Sequence, residues 1–239
     1  MAPVRNAPRA QGRRYQVGVD RRRRCGNQEG GVTRARAKHG RVGSAKAIWK
    51  LTMAQRVVFL DRDGVLNRAF PEGGTTRPPM TLDELELLPG VPAALERLRA
   101  AGFARVVVTN QPDVARGKQT RAAVEAINAK MCAELPLTDL FACYHDTADR
   151  CDCRKPKPGM LLAAAAKWDL DLPAAFLIGD RWSDVAAAAA AGCRGVLIDT
   201  PFSSPERCSP DHTAADITAA VDWVLKTAAA EATGRTAAR

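Results

Sequence analysis

The sequence predicts an α/β protein: a mostly parallel, Rossmann-like sheet with helices on both faces. Three observations carry that expectation. From Arg56 onward, apolar strand-like runs alternate with segments of helical period. The runs "RVVFLD", "FARVVVTN" and "AFLIGD" are apolar almost throughout, as strands covered on both faces must be. Each run also ends in polar residues, at Asp61, Thr109 and Asp180, and open α/β sheets bind ligands beyond the carboxyl ends of their strands.

The elements follow in order. "RVVFLD" is the first strand, and "PGVPAALERLRAAG" (89–102) reads as a helix with Pro near its start and Gly102 at its end. "FARVVVTN" is the second strand, followed by a helix around 120–134, a short strand near "LFACYH", and a helix from about Pro158 to Trp168. Then come the strand 175–180, an Ala-rich helix at 182–191, the strand 195–199 and a last helix near 213–228. No internal repeat is evident. The folded domain is expected over 53–230, between a basic extension at 1–52 and a tail at 231–239.

At 239 residues the chain has room for one catalytic domain. Its net charge of +10 is unevenly divided, with fourteen Lys/Arg against two acids in 1–52 and twenty-two against twenty-four in the remainder. A basic surface for nucleic acid is therefore not expected on the folded part, which leaves the extension as the one place for such a contact. That extension is Arg- and Gly-rich and nearly free of large apolar residues, so it is expected to be disordered. Three readings of it stay open: an arm for nucleic acid or an anionic surface, a targeting segment, or an artefact of start-site choice. The last is favoured because Met53 leads directly into the first strand. Seven cysteines, no secretory segment and no apolar run of about eighteen residues point to a soluble protein of a reducing cytoplasm with no membrane partner, and a monomer is expected.

Two acidic clusters stand directly after apolar strands. Asp61 and Asp63 flank Arg62, and an i, i+2 pair in extended backbone points to one side. Asp180 and Asp184 sit in "GDRWSD". Together they supply hard oxygen ligands of the kind Mg²⁺ prefers. A different donor set occupies "CYHDTADRCDC": Cys143, His145, Cys151 and Cys153 in the pattern CxHx5CxC. Three thiolates and an imidazole within eleven residues can close a tetrahedron around Zn²⁺. The competing reading, disulfides and a surface His, requires a strained small ring at Cys151 and Cys153 and an oxidising compartment. With four protein ligands such a zinc is structural, and it would fix the backbone that carries Arg154 and Lys155. Cys25, Cys132, Cys193 and Cys208 have no partner pattern, His39 and His212 read as surface residues, and the four tryptophans form no stacking platform.

With "VVVTNQ" and "CRKPKPG" added to "DRDGVLN" and "GDRWSD", the chain resembles haloacid-dehalogenase-type phosphatases over roughly 56–200. The resemblance implies a phosphoric monoester hydrolase working through an aspartyl-phosphate. Asp61 is then the nucleophile and Asp63 the general acid and base. Thr109, Asn110, Gln111 and Lys155 bind the phosphoryl group. Mg²⁺ lies between Asp61, the Asp63 backbone carbonyl and Asp180, with Asp184 behind them. Only forty-seven residues separate Asp61 from Thr109 and seventy separate Thr109 from Asp180, so no large cap domain fits at either place. Specificity must come from loops, chiefly "NRAFPEGGTTRPPM" and the Cys-rich segment.

The zinc loop narrows the resemblance to the branch of D-glycero-D-manno-heptose 1,7-bisphosphate 7-phosphatases and histidinol-phosphate phosphatases. "TNQPDVARG" and "CRKPKPGML" look more like the heptose enzymes, in which Arg154, Lys155 and Arg181 would touch a small phosphorylated sugar. The chain departs from that pattern at "NRAFPEGG" and at Pro112-Asp113, which puts the substrate in question and not the chemistry. Histidinol phosphate is the alternative substrate. A nucleic-acid-associated protein with a basic arm is the alternative of another class.

Overall fold

The computed structural model describes residues 55–237. The basic extension, with Cys25, His39, Trp49 and the expected start at Met53, lies outside the described residues. The main sheet has six parallel strands in the order β5-β4-β1-β6-β7-β8. These are β1 (Val57–Leu60), β4 (Ala104–Asn110), β5 (Asp139–Cys143), β6 (Phe176–Gly179), β7 (Arg194–Ile198) and β8 (His212–Ala214). A separate antiparallel hairpin pairs β2 (Phe70–Glu72) with β3 (Thr75–Arg77). The helices are α1 (Val91–Ala100), α2 (Arg121–Glu134), α3 (Gly159–Trp168), α4 (Trp182–Ala191) and α5 (Ile217–Ala237).

The apolar runs form a sheet covered on both faces because alternate side chains enter two different cores. Val58, Leu60, Val107, Phe176, Ile178 and Val196 pack with α1, α2 and α5. Val57, Phe59, Val106, Val108 and Leu177 pack with α3 and α4. The first helix begins after Gly90 in left-handed backbone, and Thr120 caps α2 by accepting a hydrogen bond from the Ala123 N–H at 3.1 Å.

Three local expectations need correction. The "NRAFPEGGTTRPPM" segment is a hairpin and not a loop, turned by Gly73 and Gly74 with φ of 54° and 77°. Its strands are three residues each and Pro71 interrupts one of them, which hid the period-2 signal. The last helix starts at Ile217 and not near 213, because His212–Ala214 pairs with β7 and Asp216 accepts from the Ala219 N–H at 2.9 Å. It then runs on to Ala237. His212 is not a surface residue: half-buried, it stacks on Trp223 with centroids 4.9 Å apart. Among the described residues no helix is long and apolar enough to cross a membrane.

Candidate active site

The strand order places β1 between β4 and β6, so the chain departs to opposite sides of β1 and leaves a crevice at its carboxyl end. Asp61 is still held in the ladder there, its N–H donating to the Ile178 carbonyl at 2.9 Å. Gly64 follows with φ of 90°, and a Cβ at that position would stand 2.4 Å from Asp180 Oδ2. A Cβ at Gly179 would stand 2.2 Å from that of Asp184. Gly64 thus lets the two acidic clusters close on one another, and Gly179 lets Asp184 pack against the end of β6.

Carboxylate oxygens of Asp61, Asp180 and Asp184 lie within 4.8 Å of one another. Into this cluster comes Lys155, whose side chain is 2% exposed and whose Nζ lies 2.8 Å from Asp61 Oδ1 and 2.5 Å from Asp184 Oδ1. The same ammonium donates to the Val108 carbonyl at 2.8 Å. Burial opposes the charge on Lys155, but Asp184 and Asp61 outweigh it and hold its pKa above the ordinary value. Burial pushes Asp61 up to about 6, Asp184 and Asp63 add to that, and Lys155 works against it. Asp180 is raised well above the usual carboxylate range by burial first and then by Asp61 and Asp184. Its Oδ1 is buried with no hydrogen-bond partner. Three acids crowded around one lysine, with a carboxylate oxygen unsatisfied, form a site suited to a divalent cation.

Asp63 also lines the cavity, but its carboxylate is held separately. It accepts from Gln111 Nε2 at 2.7 Å, from Asn67 Nδ2 at 3.0 Å, and from the Arg62 guanidinium at 3.0–3.2 Å. Gln111 Nε2 also donates to Thr109 Oγ1 at 2.8 Å, which ties the two strand ends together. Asn110 clamps the backbone of Lys155 from both sides: its Nδ2 donates to the Lys155 carbonyl and its Oδ1 accepts from the Lys155 N–H, each at 3.1 Å. Asp61, Asp63, Thr109, Asn110, Arg154, Lys155, Asp180, Arg181 and Asp184 all line one cavity of about 920 Å³, and Gln111 is buried beside it. The hairpin residues Gly74–Arg77 form part of the wall. Arg181 joins that hairpin to the segment after β7, donating to Thr76 Oγ1 at 2.5 Å and to the Phe202 carbonyl at 3.0 Å.

The cysteine cluster closes as its spacing predicts. Cys143 Sγ lies 3.6 Å from His145 Nδ1 and 3.7 Å from Cys151 Sγ, and Cys153 Sγ lies 3.3 Å from Cys143 and from His145 and 3.5 Å from Cys151. A tetrahedral ion with bonds of about 2.0–2.3 Å spaces its ligands by roughly 3.3–3.8 Å, so these four atoms can hold one metal. Cys143 ends β5 opposite Asn110, and its carbonyl accepts from the Gln111 N–H at 2.7 Å. The cluster therefore abuts the segment that binds Lys155.

Sequence reasoning passed over Arg62, Asn67 and Asn128. Arg62 appeared only as the residue between two acids, yet it is fully buried. Asn128 did leave a signal, being a polar residue on the face of α2 that otherwise buries Val124, Ile127 and Met131.

A strand-end aspartate beside a second aspartate, a buried lysine and two further acids defines a phosphohydrolase of the haloacid-dehalogenase class. A HAD-hydrolase-like family model matches residues 152–220. The chain is 35% identical over 195 residues to the D-glycero-D-manno-heptose-1,7-bisphosphate 7-phosphatase of Thermosynechococcus vestitus, covering 72% of this chain and 96% of that one. It is 34% identical over 184 residues to the corresponding enzyme of Salmonella typhi, covering 72% and 90%. A crystal structure of the heptose 1,7-bisphosphate phosphatase of B. bronchiseptica, complexed with magnesium and phosphate, matches with a TM-score of 0.61 at 31% identity, covering 72% of this chain and 99% of that one. The chain belongs to the D-glycero-D-manno-heptose-1,7-bisphosphate 7-phosphatase family of HAD-like hydrolases.

Proposed function

We propose that the protein hydrolyses the 7-phosphate of D-glycero-D-manno-heptose 1,7-bisphosphate through an aspartyl-phosphate. The observation that carries the reading is Lys155, buried between Asp61 and Asp184 at 2.8 and 2.5 Å beside the open cavity. A fixed cation beside a strand-end carboxylate is what phosphoryl transfer to that carboxylate requires. The relatives' own substrate supports the choice of sugar.

An Asp61 oxygen attacks phosphorus and forms a new O–P bond as the bond to the sugar oxygen breaks. Asp63 delivers its proton to the departing oxygen. In the second half Asp63 takes a proton from water, whose oxygen attacks phosphorus and releases Asp61 and inorganic phosphate. The Thr109 hydroxyl and Lys155 stabilise the transferring oxygens. Asn110 keeps Lys155 in place by binding both of its backbone groups. Arg154 and Arg181 on the cavity wall give the second phosphate of the substrate a countercharge.

The unsatisfied Asp180 Oδ1 and the raised carboxyls of Asp61 and Asp180 fit a magnesium ion held by Asp61, Asp180 and the Asp63 carbonyl. When bound, it neutralises charge so that a carboxylate can approach a phosphate dianion. The three thiols and one imidazole of the second cluster suit zinc in a closed, structural site.

Phosphate release from heptose 1,7-bisphosphate, histidinol phosphate and simple sugar monophosphates tests the reading on the full chain. The expected result is the highest kcat/KM on the heptose bisphosphate and release reduced by at least about 10⁴-fold in Asp61→Asn. Equal release by Asp61→Asn and the parent, or a preference for histidinol phosphate, would overturn it.

A further inference from the structure

Arg62 is the largest fully buried side chain among the described residues. A guanidinium withdrawn from water is costly unless its donors are matched, and here Nε, Nη1 and Nη2 all find acceptors. Nε and Nη2 reach the Asp63 carboxylate at 3.0–3.2 Å, and Nη1 donates to Asn128 Oδ1 at 2.7 Å. The backbone carbonyl of Arg62 accepts from Leu66 and Asn67 N–H groups at 2.9 and 3.1 Å, so the residue is fixed in a tight turn as well. Asn128 is buried on α2 among apolar neighbours. A chain of hydrogen bonds therefore runs from a core helix through Arg62 to Asp63. On the other side of the carboxylate, Asn67 and Gln111 complete its fixation.

Arg62 does not line the cavity: its guanidinium reaches Asp63 and Asn128, while its backbone N–H donates to Asp61 Oδ1 at 2.8 Å. We infer that Arg62, anchored by Asn128, is a positioning residue that sets the orientation of the Asp63 carboxylate for proton transfer to the leaving oxygen. The planar fork of Arg can bind Asp63 on one edge while Nη1 binds Asn128, a geometry that one ammonium cannot reproduce. The inference rests on the reading of Asp63 as general acid.

That dependence suggests the experiment. An alkyl leaving group needs the proton and a 4-nitrophenolate does not, so misplacing the acid slows the first substrate selectively. The kcat/KM values, which report formation of the aspartyl-phosphate and not its hydrolysis, are compared on heptose 1,7-bisphosphate and on 4-nitrophenyl phosphate for the parent, Asp63→Asn, Arg62→Met, Arg62→Lys, Asn128→Leu and Asn128→Asp. Asp63→Asn is expected to lose about 10²-fold or more on the alkyl ester and far less on the aryl ester. Arg62→Met and Arg62→Lys should show the same asymmetry. Asn128→Leu should lose roughly 10-fold in kcat/KM on the alkyl ester alone. Asn128→Asp, which keeps the acceptor, should restore the parent's ratio. If Arg62→Met does not fold, Asn128→Leu decides. Equal losses on both esters in folded Asn128→Leu, with Asp63→Asn asymmetric, overturn the positioning role and leave Asp63 as the acid. A symmetric effect of Asp63→Asn overturns the reading of Asp63 and this inference with it.

Discussion

The two clusters of groups that could hold a metal were assembled by opposite means. Cys143, His145, Cys151 and Cys153 lie within eleven residues, and a local turn with Arg150 in left-handed backbone brings them together. Asp61 lies more than a hundred residues before Asp180 and Asp184, and only the adjacency of β1 and β6 brings it to them. The first cluster consists of soft donors that, on the proposed reading, a metal would tie together and so stabilise the fold. The second consists of like charges that the fold holds together against their repulsion, with Lys155 as partial relief. On the proposed reading one cluster contributes to stability, whereas the other costs stability and supplies chemistry.

The difference is sharpest for a single change in each. Asp180→Asn removes a buried carboxylate whose charge is opposed by burial, Asp61 and Asp184. The metal-free variant should melt about 3–6 °C higher than the metal-free parent, while kcat falls by roughly 10²–10³-fold and magnesium no longer raises Tm. Calorimetry with and without magnesium, beside phosphate release, reads all three. A lower Tm for metal-free Asp180→Asn would show that the acidic cluster is not held under strain.

Cys151→Ser should do the reverse. Losing one ligand weakens the metal, so Tm should fall by about 10 °C, with kcat reduced on the order of 10-fold as the backbone around Lys155 loosens. Zinc content measured on the same sample makes the outcome decisive. Full activity in a verified zinc-free protein would show that Asn110 alone, through its two hydrogen bonds, keeps Lys155 in register.

The contrast also predicts a pH dependence. Asp61 has a folded pKa raised to about 6 and that of Asp180 is raised as well. Such carboxyls bind more protons folded than unfolded, so without metal their contribution to stability is lost as pH rises from the unfolded value of about 4 through about 6. Protons compete with a cation for the same oxygens. The gain in Tm caused by magnesium should therefore be small at pH 5 and grow up to pH 7, and differential scanning across that range checks it. A gain independent of pH would place the cation away from these two carboxylates.

How much of this was legible in the sequence follows from the same contrast. Five of the six parallel strands were plain because strands covered on both faces must be written as apolar runs. Asp61, Thr109 and Asp180 were plain because they interrupt those runs at the ends. The cysteine cluster was plain because it is local. Three-residue elements were not: the β2–β3 hairpin and β8 are too short to show a period, and alanines after His212 imitated a helix. Arg62 was hidden for another reason. Between two aspartates it reads as a solvated charge, and nothing nearby in the chain says that Asn128, sixty-six residues away, will take its third donor into the core.

The smallest expected effect concerns the hairpin that the sequence did not reveal. Arg181 holds it by donating to Thr76 Oγ1, while its other arm reaches the Phe202 carbonyl. Thr76→Val keeps the shape and the β-branched preference of the strand but removes the acceptor. The hairpin wall then loses one charge-assisted hydrogen bond at a partly buried position, worth about 1 kcal/mol, and Arg181 loses the contact that aims it across the cavity. The expected outcome is a KM for the bisphosphate raised about 2–5-fold with kcat unchanged, because the groups that act on the transferring phosphate are untouched. Steady-state kinetics on the bisphosphate and on a monophosphate lacking the second charge separates the two roles of Arg181. A change confined to the bisphosphate assigns the arginine to the distal phosphate, whereas equal changes on both substrates assign it to the hairpin.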